Sequence, residues 1–226
     1  MKSAVTPPTI EVAFNADGAA EAGKRGRVVV VVDVTGTSTT AEGAEAAGAA
    51  AVFGASPAGA EVPIPLDPGA VGRRAAAAAG RVSTDVVVVV TDSGADEEEE
   101  RRNLALPVLQ ALRTASVPYD LVPSPGAGLL QHVAKRVLVL VSATGGTAYD
   151  AAVAAGSPGV CFATTVGIEG RTDADVLDLG VRRAVRLAEQ HDADLSLVAA
   201  NADSNDDCQG AFDLARAIMA TGFLKL

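Results

Sequence analysis

The sequence predicts an α/β protein in which a β-β-α-β-α-β-α unit occurs twice, giving two similar lobes with largely parallel, buried strands. Three observations support this fold class. Runs of valine at residues 28–32 and 86–90 are typical of strands that are buried on both faces of a parallel sheet. Each run ends in a polar turn, and a segment compatible with a helix follows it. A constant shift of 109 residues also carries the first half of the 226-residue chain onto the second.

The duplication predicts the organisation of the whole chain. The shift carries Arg27 onto Arg136 without a gap, and the order of the predicted elements is kept. A period of this length is typical of paired domains or lobes and not of a solenoid. We therefore expect a first repeat at residues 1–115 and a second at residues 116–226, joined in one compact bilobal unit.

The elements of the first repeat follow from its apolar patterns. Its predicted strands are residues 10–14, 28–33, 50–53 and 86–90. Its predicted helices are residues 41–48, 70–79 and 96–112, the last of them kinked or split by Pro107. The Gly- and Ala-rich stretch between the first two strands is predicted to be a loop. The acidic residues 96–100 suit the first turn of a helix, where negative side chains interact favourably with the helix dipole.

The second repeat shows the same order of patterns. Its predicted strands are residues 119–122, 136–141, 159–162 and 194–198. A short Ala-rich helix is predicted before the third of these strands, and longer helices at residues 173–190 and 207–220. Cys161 and Cys208 have no metal-ligand or CxxC spacing, so both are predicted to be reduced thiols.

Composition argues against several classes of partner. Acidic residues number 28 against 18 basic ones, which gives a formal charge of -10 and disfavours nucleic acid. No apolar run approaches the roughly 20 residues that span a bilayer, and the N-terminus lacks the apolar core of a signal peptide. We therefore expect a cytoplasmic protein without a membrane partner. The acidic, Lys-poor composition fits a high-salt cytoplasm and a GC-rich genome equally well, and homo-oligomer formation is left open.

The turn after the second strand is the first candidate site. Asp33 ends that strand, and a carboxylate there can ligate Mg²⁺, which accepts one or two carboxylates and keeps waters for phosphate oxygens. The turn also offers hydroxyls and backbone N–H groups that could hold a phosphate. An N-cap in a satisfied turn is the structural alternative. The spacing matches neither a P-loop nor a dinucleotide fingerprint. The predicted phosphate ligands of this turn are Thr35, Gly36, Thr37, Ser38 and Thr39.

The equivalent turn of the second repeat keeps its Thr-Gly pair but not the carboxylate. Ser142 stands at the position of Asp33, and Asn201 at the position of Asp92. Because a hard divalent cation prefers charged oxygen ligands, we expect one metal position, near Asp33 and Asp92, instead of two symmetric ones. Neutral phosphate contacts are predicted from the second turn, at Thr144, Gly145, Gly146 and Thr147. Further candidate carboxylates at strand ends are Asp203, Asp206 and Asp207.

At these residues a resemblance to a known family appears. The segment Asp33-Val34-Thr35-Gly36-Thr37-Ser38-Thr39-Thr40 resembles the opening motif of the 2-phosphosulfolactate phosphatase (ComB-like) family. Residues 144–147 fall where that family has an Asn-Gly-Thr turn, and residues 194–207 are similar to its C-terminal strand and acidic turn. The resemblance implies Mg²⁺-dependent hydrolysis of a phosphate ester, in the coenzyme M pathway for the name-giving member. With this resemblance we expect Asp33 and Asp207 to be catalytic carboxylates. The strand-end positions of Asp33, Asp92, Asp203 and Asp206 make these four the candidate metal ligands.

The sequence also departs from the family pattern. Gly36 stands where the family has Arg, and Gly145 replaces the Asn of Asn-Gly-Thr. The Gly-Glu-Arg and Gly-Asn-Ser-Pro loops have no clear counterpart. Arg is the natural bidentate partner of phosphate, so its absence favours a second hypothesis. The first hypothesis is a phosphatase-like hydrolase of a small acidic phosphate ester (2-phosphosulfolactate or similar). The second is a catalytically silent small-anion-binding or regulatory protein that retains the fold.

Overall fold

The protein is an α/β structure, as predicted, with two four-stranded parallel sheets. A computed structural model describes residues 8–91, 97–123 and 132–224. Within these ranges the strands are β1 Ile10–Phe14, β2 Val28–Val32, β3 Ala51–Ala55, β4 Val86–Val90, β5 Tyr119–Val122, β6 Val137–Val141, β7 Val160–Ala163 and β8 Leu195–Ala199. The helices there are α1 Asn15–Lys24, α2 Thr37–Ala46, α3 Pro68–Val82, α4 Glu98–Leu104, α5 Leu106–Thr114, α6 Gly145–Ala154, α7 Asp173–His191 and α8 Asn205–Ala220.

The strand order confirms the duplication. The first sheet has the order β1-β8-β2-β7 and the second β3-β6-β4-β5. All neighbours in both sheets pair in parallel. The counterparts in the two repeats are β1 and β5, β2 and β6, β3 and β7, and β4 and β8. Replacing each strand of the first sheet by its counterpart gives β5-β4-β6-β3, which is the order of the second sheet read from its other edge. The two sheets are therefore similar in topology, as a pseudo-twofold arrangement of the repeats requires.

Each sheet takes two strands from each repeat, which the sequence alone does not indicate. β2 lies between β8 and β7 of the second repeat, and β6 lies between β3 and β4 of the first. The predicted boundary at residues 115 and 116 falls between α5 and β5. Neither repeat forms a sheet of its own, so the core of each lobe depends on both halves of the chain.

Helices cover both faces of both sheets. α1, α2 and α6 lie between the sheets, and α1 packs against α6. α7 and α8 cover the outer face of the first sheet, and α3 covers the outer face of the second. The five valines of β2 are fully buried, as a strand enclosed on two faces requires. No helix in the described ranges is both long and apolar enough to cross a bilayer.

One prediction about the elements is wrong. The residues between β1 and β2 form helix α1 and not a loop. This helix packs closely on α6, since a Cβ added at Gly23 would lie 2.8 Å from the carbonyl oxygen of Ala152. The glycine that lowers the helix propensity of the segment therefore allows its tertiary contact. The predicted break at Pro107 is confirmed, because α4 ends at Leu104 and α5 begins at Leu106.

Candidate functional site

Asp33 lies directly after β2, and only 4% of its surface is exposed. Its Oδ2 accepts hydrogen bonds from the backbone N–H of Thr37 at 3.1 Å and of Gly145 at 3.1 Å. The hydroxyl of Thr144 donates a third at 2.8 Å. Thr37 and Gly145 are the first residues of α2 and α6. The carboxylate therefore caps the amino termini of two helices, one from each repeat, where the helix dipoles favour negative charge.

Ser142 occupies the equivalent position after β6 and belongs to the same hydrogen-bond network. Its Oγ accepts hydrogen bonds from the backbone N–H of Thr144 at 3.1 Å and from the Thr37 hydroxyl at 3.0 Å. The N–H of Gly146 lies 3.4 Å away. We call Asp33, Thr37, Ser142, Thr144 and Gly145 the inter-repeat contact. It brings the two Thr-Gly turns together.

The predicted metal ligands that the structure describes form no cluster around Asp33. Asp203 and Asp206 are exposed, just before and within the first turn of α8, and Asp92 lies outside the described residues. Within the described ranges, no three His, Cys, Asp or Glu side chains are placed so that they could hold a metal ion. The groups around Asp33 Oδ2 are N–H and O–H donors, which suit a carboxylate and not a cation. The inter-repeat contact does not fit Mg²⁺, and the Mg²⁺ site stays a prediction.

Asp207 also has a structural partner. It is 2% exposed, and its Oδ1 accepts a 2.8 Å hydrogen bond from the backbone N–H of Val34, next to Asp33. Ser204 caps the helix that carries it, accepting from the Asp207 N–H at 3.2 Å. Burial raises the pKa of Asp207, and the nearby charge of Asp33 acts in the same direction. Asp207 thus fixes the turn after β2 from the side of α8.

The nine predicted phosphate ligands separate into two groups. Members of the inner group use polar groups for contacts within and between the turns: Thr37, Ser38, Thr144, Gly145, Gly146 and Thr147. Members of the outer group border an open groove: Thr35, Gly36 and Thr39. Only the outer group is placed where a ligand could reach it without displacing the inter-repeat contact.

This groove, which we call the hydroxyl groove, has a volume of about 570 Å³. It lies beyond the carboxyl ends of the paired strands β2 and β7, the usual place for ligands in open α/β sheets. None of its lining residues is basic. The lining residues are Val34, Thr35, Gly36, Thr39, Thr40, Thr165, Val166, Asp206, Gln209 and Gly210.

Hydrogen-bond donors are available in the hydroxyl groove. Within the described part of the chain, the backbone N–H groups of Thr35 and Thr39 have no acceptor. The Thr39 hydroxyl donates to the Val34 carbonyl oxygen, and that of Thr40 to the Gly36 carbonyl oxygen at 3.3 Å. Asp206 is the one carboxylate among the lining residues. The N–H groups of Thr35 and Thr39 therefore suit acceptor oxygens of a ligand, whereas the Asp206 carboxylate repels an anion placed near it.

Sequence patterns did not indicate the residues that β7 and α8 contribute to this groove. Thr165 and Val166 follow β7, which belongs to the other repeat, and Gln209 and Gly210 lie one turn into α8. The pair Thr164-Thr165 at the end of a strand is a polar strand-end pattern visible in the sequence. It indicates a contribution to this groove only when β7 is known to pair with β2.

Neither cysteine supplies a nucleophile to this site. Both are free thiols, and Cys161 lies on β7 as predicted. Burial raises the pKa of Cys161 to about 12, which the nearby Arg183 only partly opposes. Its thiolate, the reactive form, is therefore not formed near neutral pH.

Comparison with known proteins adds no assignment. No protein-family model matches the chain, and no curated protein matches it significantly.

Proposed function

We propose that this protein binds a small anionic metabolite in the hydroxyl groove and that Asp33 has a structural role. The observation that supports this proposal is the saturation of Asp33 Oδ2 by three donors of the inter-repeat contact. Oδ2, so held, is not free to ligate a metal or to attack a substrate. The groove next to it has open donors and the position expected of a ligand site.

The chemistry of the groove favours acceptor oxygens such as those of a phosphate, sulfonate or carboxylate. The hydroxyls of Thr35 and Thr165 and the free N–H groups of Thr35 and Thr39 are donors. The groove volume is within the range of small-molecule sites, roughly 300–1,000 Å³. Since no basic side chain lines it, we expect weak binding that depends on neutral donors.

A Mg²⁺-dependent phosphatase-like hydrolase of a small acidic phosphate ester is the second candidate. Its specific support is the carboxylate of Asp206, which lines the same groove as the Thr35 hydroxyl. Mg²⁺ often takes one or two protein carboxylates and fills its other positions with water and phosphate oxygens. Bound there, it would neutralise phosphate charge. The resemblance of residues 33–40 to the 2-phosphosulfolactate phosphatase motif agrees with this candidate.

Titration with inorganic phosphate, followed by NMR or calorimetry, tests the proposal. We expect Thr35→Val and Thr165→Val to weaken phosphate binding several-fold, because each removes a donor to the anion. Thr114→Val, at the end of α5 and far from the groove, is the matched control and should bind as the wild type does. Unchanged binding in both groove variants would contradict the proposal.

A phosphatase assay with Mg²⁺ separates the two candidates. A binding protein should release no phosphate from any ester in a panel of small acidic esters. Phosphate release that requires Mg²⁺ and disappears in Asp206→Asn would instead support the hydrolase.

A further inference from the structure

The loop at residues 164–172, between β7 and α7, joins the hydroxyl groove to a buried ion cluster. At its start Thr164 Oγ1 lies 3.2 Å from Thr39 Oγ1, and Thr165 lines the groove. At its end Arg171 Nη1 lies 3.8 Å from Glu42 Oε1. We propose that Arg171 supplies the positive charge for the bound anion by moving from Glu42 into the groove. This inference rests on the function proposed above.

Glu42 is an unusually buried carboxylate on α2, with 1% of its surface exposed. Its Oε2 is held by Arg183 Nη1 at 2.9 Å. Its Oε1 is buried and has no hydrogen-bond partner. An acceptor that is buried without a hydrogen bond is costly, so the 3.8 Å approach of Arg171 is an incomplete pair. The structure therefore shows Arg171 near Glu42 but not bonded to it.

The two arginines of this cluster differ in how firmly they are held. The guanidinium of Arg183 donates to Glu42 and to the Phe162 carbonyl oxygen at 2.7 Å, and it also pairs with Glu45. The Arg183 side chain is 15% exposed, whereas that of Arg171 is 34% exposed. Because Arg183 stays in place, the departure of Arg171 would not leave Glu42 without a counter-charge. Arg171 is thus the less firmly held of the two arginines, and the one that can move.

The distance to the groove is short enough for such a movement. Glu42 follows Thr39 by three residues on α2, and side chains with this spacing are neighbours, roughly 5–6 Å apart between Cβ atoms. The Arg171 guanidinium, beside Glu42, therefore lies about one helical turn from the groove-lining Thr39. A bidentate guanidinium is also the group that the groove lacks, since its other donors are neutral.

The experiment measures the affinity for inorganic phosphate, with and without added salt, in variants of Arg171. Arg171→Gln should weaken binding about tenfold or more, because a charge-assisted hydrogen bond is lost. It should also reduce the salt dependence of the dissociation constant, which a purely structural role would not change. Arg171→Lys should lie between the wild type and Arg171→Gln, since it keeps the charge without the bidentate geometry. Arg182→Gln is the matched control, because Arg182 is exposed on α7 and pairs with Asp178.

The outcomes distinguish this inference from the proposed function. If Arg171→Gln binds phosphate as the wild type does while Thr35→Val does not, Arg171 has no role and the groove remains the binding site. If the wild type binds no phosphate, sulfate or acetate, the proposed function fails and this inference fails with it. Loss of binding in Arg171→Gln but not in Arg182→Gln, with equal melting temperatures of both variants, supports the inference.

Discussion

Asp33 and Gly145 are joined by a 3.1 Å hydrogen bond from the glycine N–H to the carboxylate, although 112 residues separate them. The bond crosses between the repeats at the point where α2 and α6 begin. Two helix N-termini that met without an anion would expose unpaired N–H groups of like partial charge to each other. The Asp33 carboxylate removes this conflict. We infer that it stabilises the association of the two halves.

Asp33→Ala should therefore lower the free energy of unfolding. Two buried N–H groups, of Thr37 and Gly145, lose their acceptor, and each costs about 1–3 kcal/mol. Asp33→Asn should lose less, since its carbonyl oxygen can still accept. Urea unfolding measures both. EDTA should leave the wild-type midpoint unchanged; a lower midpoint with EDTA would instead indicate a metal ion at this position.

The sequence predicted the strands well but not the role of Asp33. Buried strands are recognisable because each is a short apolar run, and the strand-end position of Asp33 follows from where its run stops. Whether the side chain turns outward to a metal or inward to a helix is decided by α6, which lies across the repeat boundary. That placement depends on the strand order, which cannot be predicted from the periodicity of apolar residues.

For the same reason, the sequence predicted only part of the hydroxyl groove. Thr35 and Thr39 belong to a recognisable turn after β2. Thr165 reaches them because β7 pairs with β2, so that Val32 and Ala163 are partners in the register. A division into two independent repeats would place these segments in different lobes.

Gly145→Ala should destabilise the protein by about 1–3 kcal/mol, as overpacking of a well-filled site does. An added Cβ would lie 2.7 Å from Asp33 Oδ2 and 2.9 Å from Thr37 Cβ. Gly80→Ala is the matched control, because no atom lies within 4 Å of its added Cβ. On α3 that change should stabilise by about 0.5–1 kcal/mol. Equal effects of the two substitutions, measured by thermal unfolding, would contradict the tight contact around Gly145.

Asp207 should contribute a pH dependence of stability with a defined sign. Its pKa is raised above the ordinary 3.8, chiefly by burial, so the folded state binds its proton more tightly than the unfolded state does. The Asp207 contribution to stability is therefore greatest below 3.8 and is lost as the pH rises through the raised pKa. Asp207→Asn removes this dependence while its carbonyl oxygen can still accept from Val34.

Urea unfolding at a series of pH values, compared between wild type and Asp207→Asn, measures this effect. The stability of Asp207→Asn relative to the wild type should increase with pH across the window above 3.8 and then become constant. Asp203→Asn, at an exposed position of the same acidic turn, is the matched control for the removal of one acidic side chain. A constant difference between Asp207→Asn and wild type at all pH values would contradict the prediction.

The pseudo-twofold relation between Asp33 and Ser142 allows the carboxylate to be moved to the other repeat. Ser142→Asp alone would place a second carboxylate close to the first, since Thr144 Oγ1 lies 2.8 Å from Asp33 Oδ2 and 3.1 Å from Ser142 Oγ. Like charges at such separation destabilise each other, and this loss should diminish at acid pH as one of them is protonated. Asp33→Ser alone should destabilise because it removes the anion from both helix N-termini.

The double variant Asp33→Ser/Ser142→Asp should lose less free energy of unfolding than the sum of the losses in the two single variants. It restores one carboxylate between the same two helices, with Gly146 and Gly36 in the places that Thr37 and Gly145 take around Asp33. Contacting residues typically show coupling energies of about 0.5–3 kcal/mol, and we expect a favourable value in this range. A double-mutant cycle from urea unfolding at neutral pH measures it. If the effects of the two substitutions on the free energy of unfolding are strictly additive, a carboxylate at residue 142 does not replace the one at residue 33. The stabilising position of the carboxylate would then depend on features that the two repeats do not share.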